Sequence, residues 1–280
     1  MARRTIADPA ELSGIGLHTG AMVQVRFAPG EPGQGIVIRR VDRRPPVAIA
    51  ARAAAVAASE RRTRLEHGGV EVETVEHCLA AAHALELDDL TVDLDGPELP
   101  ILDGSFAPFL EALDGAGVME QPGEPRTIAV SRRLDLREAG ASYTVEPADA
   151  LALDVTLAHP HPRIGVQQWR GHPVGDTFRH AIAGARTWGL LREVEIFRAR
   201  GLLRGASPAC AIVLSEDDVI GPPLRWPDEF VRHKAGDLLG DLALAGGRLQ
   251  VRITARQPNH RGNLACARAI LEAARLAEDR

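Results

Sequence analysis

Two histidines and an aspartate are the residues best suited to bind a metal ion. His233 and Asp237 lie four residues apart in DEFVRHKAGDLLGDLALAG, whose composition and length predict a helix. Residues four apart project from one face of a helix, one turn apart, so both side chains can bind one ion. A catalytic zinc ion has three protein ligands and an open fourth position. His77, in the other half of the chain, is the natural third ligand, and the pattern predicts a zinc site between the two halves. A solvated helix face is the alternative interpretation of the His233–Asp237 spacing.

Two carboxylates accompany this predicted site. Glu76 directly precedes His77 in TVEHCLAAAHALEL (74–87), which predicts a second helix. Adjacent helical side chains point about 100° apart, so the two cannot easily bind the same ion. Glu76 could instead lean over an attacking water and accept its proton. Asp241 lies four residues beyond Asp237 on the same helical face, where it could orient a ligand or a neighbouring histidine.

Rare residue types mark further positions. Of the 33 Lys and Arg residues only Lys234 is a lysine, and the only asparagines, Asn259 and Asn263, lie on either side of His260. Such exceptions are candidates for chemistry that a commoner residue cannot do, although chance is the alternative. Lys234 could contact a phosphate or a developing oxyanion, for which the forked guanidinium of arginine is bulkier. His260, in the polar turn QPNHRGN, could act as a general acid or electrostatic clamp, or could make local hydrogen bonds where a helix begins.

Two turns carry side chains that could meet a substrate. His18 lies in the glycine-flanked turn GLHTG and could contact substrate or cap the turn. Thr187, in RTWGLL, has a hydroxyl that could help to hold a tetrahedral oxyanion beside a metal. An ordinary strand-to-helix turn is the alternative interpretation of RTWGLL.

The composition favours a soluble, cytoplasmic enzyme or binding protein. The 280 residues are 45% hydrophobic, enough to bury one large core or two smaller ones, and the net charge of −5 gives no basic field for nucleic acid. The N-terminus lacks the apolar core of a signal peptide, and no apolar stretch is long enough to span a bilayer. Three unclustered cysteines argue against a disulfide framework and for a reducing compartment.

Strand-like and helix-like segments alternate in both halves of the chain. MVQVRFAP, GIVIRRV and DLTVDLDG alternate as strands do, and SFAPFLEALDGAG predicts a helix with Ser105 as its N-cap. The polar stretch 118–126 contains two prolines and predicts a linker. Beyond it, ASYTVEP, LALDVTLAH and GRLQVRITAR predict strands, and LREVEIFRARG and the C-terminal segment predict helices. We therefore predict an α+β fold of two similar layered domains, 1–117 and 126–280, with the active site between them.

Taken together, the motifs resemble one enzyme family. GIGLHTG, TVEHCLAA, GPELPILDGS, RTWG, DEFVRHKAGDLLGDLAL and NHRGN have the order and approximate spacing found in the UDP-3-O-acyl-N-acetylglucosamine deacetylases, over about residues 4–275. The resemblance implies two α+β domains with zinc between them. It also implies hydrolysis of the N-acetyl group of an acylated UDP-sugar to a free amine and acetate, the committed step of lipid A biosynthesis.

The resemblance further implies a role for each motif residue. The implied roles are zinc ligation for His77, His233 and Asp237, the general base for Glu76, an assisting charged partner or acid for His260 with Asp241 beside it, polarisation of the carbonyl or oxyanion for Thr187, and a sugar-nucleotide contact for Lys234. By the same resemblance, LLREVEIFRARGLL (190–203) occupies the place of an insert that forms a hydrophobic passage for the acyl chain. Its apolar residues could line that passage or belong to the core: Leu191, Val194, Ile196 and Leu202.

The sequence departs from the family pattern on the substrate side. Trp188 stands where the family usually has Phe, and its larger ring could reshape the substrate floor; His159 stands where a Phe is expected. The stretch GASPAC (205–210) lacks an expected glycine and expected polar groups. These departures leave the predicted metal chemistry intact, whereas they affect the expected substrate preference.

Two functions therefore stay open at this level. One is the deacetylation typical of the family, and the other is a divergent paralogue that acts on a related sugar nucleotide or binds it without turnover. The retention of Glu76 and His260 favours catalysis, since binding alone does not need them. Zinc or iron could each occupy such nitrogen and oxygen ligands. We expect a monomer that binds a small acylated UDP-sugar and has neither a nucleic-acid partner nor a membrane span.

Overall fold

The computed structural model describes residues 2–58 and 61–278, which form nineteen β-strands and six α-helices. The strands are β1 (Arg3–Ile6), β2 (Ala10–Ile15), β3 (Met22–Pro29), β4 (Ile36–Arg40), β5 (Val47–Ala50), β6 (Val56–Ala58), β7 (Arg64–His67), β8 (Val70–Glu73), β9 (Leu90–Leu94), β10 (Val118–Gln121), β11 (Thr127–Ala129), β12 (Leu134–Glu138), β13 (Ala141–Pro147), β14 (Ala152–His159), β15 (Gly165–Gly171), β16 (Trp188–Leu190), β17 (Ile212–Leu214), β18 (Val219–Ile220) and β19 (Arg248–Arg256). The helices are α1 (Glu76–Ala84), α2 (Ala107–Gly115), α3 (Gly175–Ala181), α4 (Leu191–Ala199), α5 (Glu229–Leu242) and α6 (His260–Glu278).

Two mixed sheets of the same topology form the framework. The strand order is β2-β3-β9-β4-β5 in the first half and β12-β13-β19-β14-β15 in the second, where β11 also pairs with β19. In each half the last strand inserts between the second and third, pairing antiparallel with the second and parallel with the third. The combination of mixed sheets and packed helices confirms the predicted α+β class, and the shared strand order agrees with two similar halves.

Burial along the strands follows the alternation in the sequence. In β3, Val23, Val25 and Phe27 are buried, whereas Met22, Gln24 and Arg26 between them are exposed. Successive side chains of a strand point to opposite faces of its sheet, so this alternation places one face of β3 on the core. The strand predicted from MVQVRFAP has the same bounds as β3.

Two glycines let α5 approach the first half of the chain closely. A Cβ added at Gly240 would lie 2.1 Å from the carbonyl oxygen of Glu76, and one at Gly236 would lie 2.3 Å from the ring of Phe106. Both distances are far shorter than carbon contacts in a packed interior, which lie near 3.5–4.0 Å. The absence of a side chain at Gly240 therefore allows the first turn of α1 to pack directly on α5, and the absence of one at Gly236 leaves room for the Phe106 ring.

Two three-stranded sheets extend from the framework. One contains β6, β7 and β8, and the other contains β16, β17 and β18. α4 follows β16 and lies within the segment 190–203, whose role as an acyl-passage insert stays a prediction. None of the α4 residues is buried.

Some predicted boundaries differ from the observed ones. α1 is shorter than the helix predicted over 74–87, because it ends at Ala84 and Glu86 has a left-handed φ of 54°. α2 is assigned from Ala107, so Phe106 is the residue directly before it. The Ser105 hydroxyl oxygen nevertheless accepts a hydrogen bond from the Ala107 N–H at 3.3 Å, as the predicted N-cap would, and the hydroxyl donates to Asp103 at 2.7 Å.

The predicted linker begins with a strand. Val118–Gln121 form β10, which pairs antiparallel with β1 at the opposite end of the first half. The domain boundaries at 117 and 126 stay predictions. Within residues 2–58 and 61–278, no helix combines the length and apolar character needed to cross a membrane.

Candidate metal centre and active site

His77, His233 and Asp237 lie together where α1 packs on α5. One possible ligand atom from each residue lies within 4.8 Å of the others. The Nε2 atoms of His233 and His77 lie 3.2 and 3.8 Å from Oδ1 of Asp237. Zinc bonds of about 2.0–2.2 Å at tetrahedral angles place ligand atoms roughly 3.3–3.6 Å apart. The three side chains therefore have the spacing of a group that could hold one metal ion.

The hydrogen bonding of the three residues fits a divalent cation. Oδ1 of Asp237, which faces Nε2 of both histidines, is buried and has no hydrogen-bond partner among the described residues. Buried polar atoms are normally paired, so this oxygen points to a missing partner. Nδ1 of His233 lies 3.0 Å from the carbonyl oxygen of Ala185, and since a carbonyl only accepts, Nδ1 carries the proton. Nε2 of His233 therefore presents its lone pair towards Asp237, as a metal ligand requires.

The protonation states also suit metal binding. Burial, together with the nearby His233 ring, lowers the pKa of His77 to about 3, and burial likewise lowers the pKa of His233. Burial alone would raise the pKa of Asp237, but the neighbouring His233 and Lys234 outweigh it and the pKa is lowered. Neutral imidazoles and an ionised carboxylate are the forms that bind a metal.

Glu76 is the first residue of α1, and its side chain lies beside the three candidate ligands. It is 3% exposed, and burial raises its pKa to about 7 despite the nearby charge of His260. Its Oε2 accepts a hydrogen bond from the backbone N–H of Thr63 at 3.1 Å, and its Oε1 lies 4.0 Å from Nε2 of His260. A carboxylate with a pKa near neutrality can accept and release a proton at physiological pH.

Asp241 lies directly behind His260. Its Oδ2 is 2.8 Å from Nδ1 of His260 and accepts a second hydrogen bond from the Asn263 amide at 2.9 Å. Burial would lower the pKa of His260, but the charge and the hydrogen bond of Asp241 outweigh it and raise the pKa to about 9. The His260 ring therefore holds a positive charge at neutral pH, with Nε2 directed towards Glu76 and Asp237.

A cavity of about 740 Å³ opens over this group. Ligand sites in proteins typically have volumes of about 300–1,000 Å³. The sequence-predicted site residues that line it are His18, Glu76, His77, Thr187, Trp188, His233, Lys234, Asp237 and His260. The structure thus brings together residues from both halves around one cavity, with Asp241 fully buried behind them.

Thr187 and Trp188 form one wall of the cavity. The backbone N–H of Thr187 donates to the carbonyl of Gly104 at 2.7 Å, and its carbonyl accepts from Ile212 at 2.8 Å. These bonds fix the residue immediately before β16. The indole of Trp188 packs edge-on against His159 with ring centroids 5.8 Å apart. Its Nε1–H is buried and has no acceptor among the described residues.

His18 and Lys234 differ in how they are held. Glu98 accepts hydrogen bonds from the backbone N–H groups of His18 and Thr19 at 3.0 and 2.8 Å, which fixes their turn. Both ring nitrogens of His18 are buried without a partner in the described part of the chain. Lys234 lines the cavity, but its Nζ also donates to Oδ2 of Asp237 at 2.8 Å. The sole lysine therefore pairs with a candidate metal ligand.

The four predicted acyl-passage residues are partly or largely exposed. Leu191 and Ile196 are 47% and 52% exposed, and Val194 and Leu202 are half-buried. None of the four is among the described residues that line the 740 Å³ cavity. Their role in an acyl passage stays a prediction.

Sequence reasoning missed two polar residues that support the site. Thr63 contacts both Glu76 and Asp241, yet it is an isolated threonine in SERRTRLEH and no signal in the sequence marks it. Glu98 is fully buried and lies within the motif GPELPILDGS. An acidic residue between apolar residues of that motif was the signal that could have identified it.

The two similar α+β halves contribute residues to one cavity, which contains a buried His-His-Asp group and a glutamate whose pKa is raised. This combination defines a candidate metal-dependent hydrolase. The profile of the LpxC family, described as UDP-3-O-acyl N-acetylglycosamine deacetylase, matches residues 3–272. This chain belongs to the LpxC family.

Relatives that carry this enzyme name match nearly the whole chain. A UDP-3-O-acyl-N-acetylglucosamine deacetylase of Myxococcus xanthus is 38% identical over 270 residues, which cover 96% of this chain and 86% of the relative. The enzyme of the same name from Geobacter sp. strain M21 is 38% identical, covering 92% of this chain and 85% of its own length. A third, from Cellvibrio japonicus, is 35% identical and covers 97% and 91% respectively.

Proposed function

We propose that this chain hydrolyses the N-acetyl group of a UDP-3-O-acyl-N-acetylglucosamine, the deacetylation step of lipid A biosynthesis, with Zn²⁺ held by His77, His233 and Asp237. The observation that carries the proposal is the convergence of these three buried side chains beside Glu76 in a cavity of about 740 Å³. Membership of the LpxC family and the names of its relatives support the substrate and the reaction.

When bound, the metal supplies Lewis-acid polarisation of the acetamide carbonyl and a lowered pKa for the attacking water. Glu76 accepts the proton of that water, because its own pKa near 7 leaves a substantial fraction ionised at neutral pH. The side chains of Glu76 and His260 are buried, so their charges are screened less than charges on the protein surface.

His260 and Thr187 complete the proposed proton and charge handling. His260 is positively charged at neutral pH and faces Glu76, so it stabilises negative charge that develops on the substrate. Either His260 or the newly protonated Glu76 donates a proton to the leaving nitrogen, which departs as the glucosamine amine. The Thr187 hydroxyl donates to the tetrahedral oxyanion.

The remaining cavity residues contact the rest of the substrate. His18, Trp188 and Lys234 line the cavity, and we assign them to the sugar nucleotide. The apolar side chains on and after α4 take the acyl chain: Leu191, Val194, Ile196 and Leu202.

A deacetylation assay on the purified protein tests this proposal. The acylated UDP-N-acetylglucosamine is supplied to enzyme that is untreated, chelator-treated, or chelator-treated and then given zinc, and acetate and free amine are both quantified. We expect equal amounts of the two products, loss of turnover with chelator, and recovery with zinc. Turnover that persists in metal-free protein refutes the metal assignment, and binding of the substrate without acetate release indicates a non-catalytic relative.

A further inference from the structure

Thr63 contacts both carboxylates that handle protons in this site. It lies immediately before β7 and is 1% exposed. Its backbone N–H donates to Oε2 of Glu76 at 3.1 Å, and its hydroxyl donates to Oδ1 of Asp241 at 2.5 Å. Asp241 lies 178 residues further along the chain, in the second half. One buried residue thus joins the proposed base to the residue that holds His260.

The hydroxyl has a defined direction. The hydroxyl is the donor of this pair and a carboxylate oxygen the acceptor, so the Thr63 proton points at Oδ1 of Asp241. The other carboxylate oxygen, Oδ2, already accepts from His260 and Asn263. Donors therefore bind both oxygens, and the carboxylate plane is fixed from both sides. Without the Thr63 hydroxyl, Oδ1 would lack that donor in a buried position, which is costly for a charged group.

We propose that Thr63 is a positioning residue, which fixes the Asp241 carboxylate so that the His260 ring stays aimed into the cavity while the Thr63 backbone aligns Glu76. The proposal rests on the proposed function, because it assigns to Thr63 an effect on the reaction through His260. In this role Thr63 itself contacts neither substrate nor metal.

The test compares Thr63→Val, which removes the hydroxyl with little change of shape, with Thr63→Ser, which keeps it. We expect Thr63→Val to lower kcat about tenfold to a hundredfold, the range for partners that orient site residues, with KM changed less than about twofold. Thr63→Ser should recover at least about half of the wild-type kcat, since it restores the donor. A Thr63→Val enzyme with kcat within about twofold of wild type overturns the proposal.

A matched control separates this effect from the general cost of removing a buried hydroxyl. Thr5 is 2% exposed, and its hydroxyl oxygen accepts a hydrogen bond from the Gly30 N–H at 2.9 Å, away from the cavity. Thr5→Val should leave kcat unchanged. An equal loss of kcat in Thr5→Val and Thr63→Val shows a non-specific effect and overturns the proposal. If Thr63→Val does not fold, Thr63→Ala replaces it in the same comparison with Thr63→Ser.

A double-mutant comparison identifies the route of the effect. If Thr63 acts through His260, Thr63→Val should lower kcat much less in a His260→Ala background than in wild type, because coupled residues are not additive. An equal fold-loss in both backgrounds overturns the proposed route.

Glu76→Ala, assayed alongside, distinguishes the two proposals. Full turnover by Glu76→Ala refutes the proposed function. An inactive Glu76→Ala beside a fully active Thr63→Val refutes the positioning role alone.

Discussion

Burial has different consequences for Glu76 and His260, although Oε1 of one lies 4.0 Å from Nε2 of the other. For Glu76, burial dominates and raises the pKa to about 7. For His260, burial alone would lower the pKa, but the charge and hydrogen bond of Asp241 outweigh it and raise the pKa to about 9. Near neutral pH one residue can therefore accept a proton while the other keeps its charge, and the two environments set the two roles.

Single substitutions at the residue scale should separate proton transfer from metal binding. We expect Glu76→Ala and His233→Ala each to lower kcat by at least about a hundredfold. Losses of this size are typical when a general base is removed, and the loss of a metal ligand should cost at least as much. Only His233→Ala should also lose bound metal, because Glu76 is not a ligand. Steady-state turnover and elemental analysis of the same preparations check both points.

The control for these variants is His67→Ala, which removes an exposed histidine outside the cavity. It should keep both turnover and metal. A purified Glu76→Ala protein with near-normal turnover would contradict the assignment of Glu76 as the base.

At the scale of elements, the site depends on how closely α1 lies against α5. A Cβ at Gly240 would approach the carbonyl oxygen of Glu76 to 2.1 Å and its carbonyl carbon to 2.8 Å. Either helix would have to move, which would shift Glu76 and His77 away from the ligands on α5. The glycine is required here by the close approach of two backbones.

Gly240→Ala should therefore affect stability and catalysis together. We expect a loss of about 1–3 kcal/mol in the free energy of unfolding, as for other overpacked positions, and a lower kcat. Gly115→Ala in α2 is the matched control, since a Cβ there meets no atom within 4 Å. Urea denaturation and steady-state kinetics on both variants provide the measurement. Equal stability and activity of the two variants would contradict the close helix contact.

The sequence predicts local elements better than long-range pairs. The alternation in MVQVRFAP predicts β3, the composition and length of DEFVRHKAGDLLGDLALAG predict α5, and the His233–Asp237 spacing directly predicts a shared face. β15 is not predicted because GVQQWRG has few apolar residues. The structure places this strand at the edge of the second sheet. The Thr63–Asp241 hydrogen bond joins residues 178 apart, and no local pattern encodes such a contact.

At the scale of the whole molecule, Asp89 ties the start of the chain to the first sheet. Its side chain is fully buried and accepts hydrogen bonds from Arg3 in β1, from the Gly35 N–H and from Gln121 in β10. Burial would raise its pKa, but the hydrogen bonds from Arg3 and from the backbone outweigh it and the pKa is lowered. The ionised form is thus the form that the fold stabilises.

Asp89→Asn should destabilise the protein in a pH-dependent way. A carboxyl whose pKa is lowered by folding contributes its full stabilisation above its unfolded pKa of about 3.9 and loses it as pH falls through the lower folded value. We therefore expect Asp89→Asn to lower the free energy of unfolding by about 2 kcal/mol or more at pH 7, and the difference from wild type to shrink below about pH 4. Urea denaturation across this pH range measures both.

The control is Asp135→Asn, which breaks an exposed pair with Arg133. It should change stability little at any pH, because exposed ion pairs are screened by solvent. A difference between Asp89→Asn and wild type that is the same at pH 7 and at pH 3 would contradict the role of the ionised Asp89.

Zinc binding by wild type and by His77→Ala is the most direct test of the central claim, that the two halves of the molecule together hold one metal ion. Both proteins are stripped of metal, shown to be folded by circular dichroism, and titrated with zinc. We expect about one zinc per wild-type chain, as a site with three protein ligands and one open position would bind. His77→Ala should bind zinc at least about tenfold more weakly and lose turnover, because the substitution removes the one ligand that the first half contributes. A folded His77→Ala protein with wild-type zinc affinity and turnover would contradict the claim.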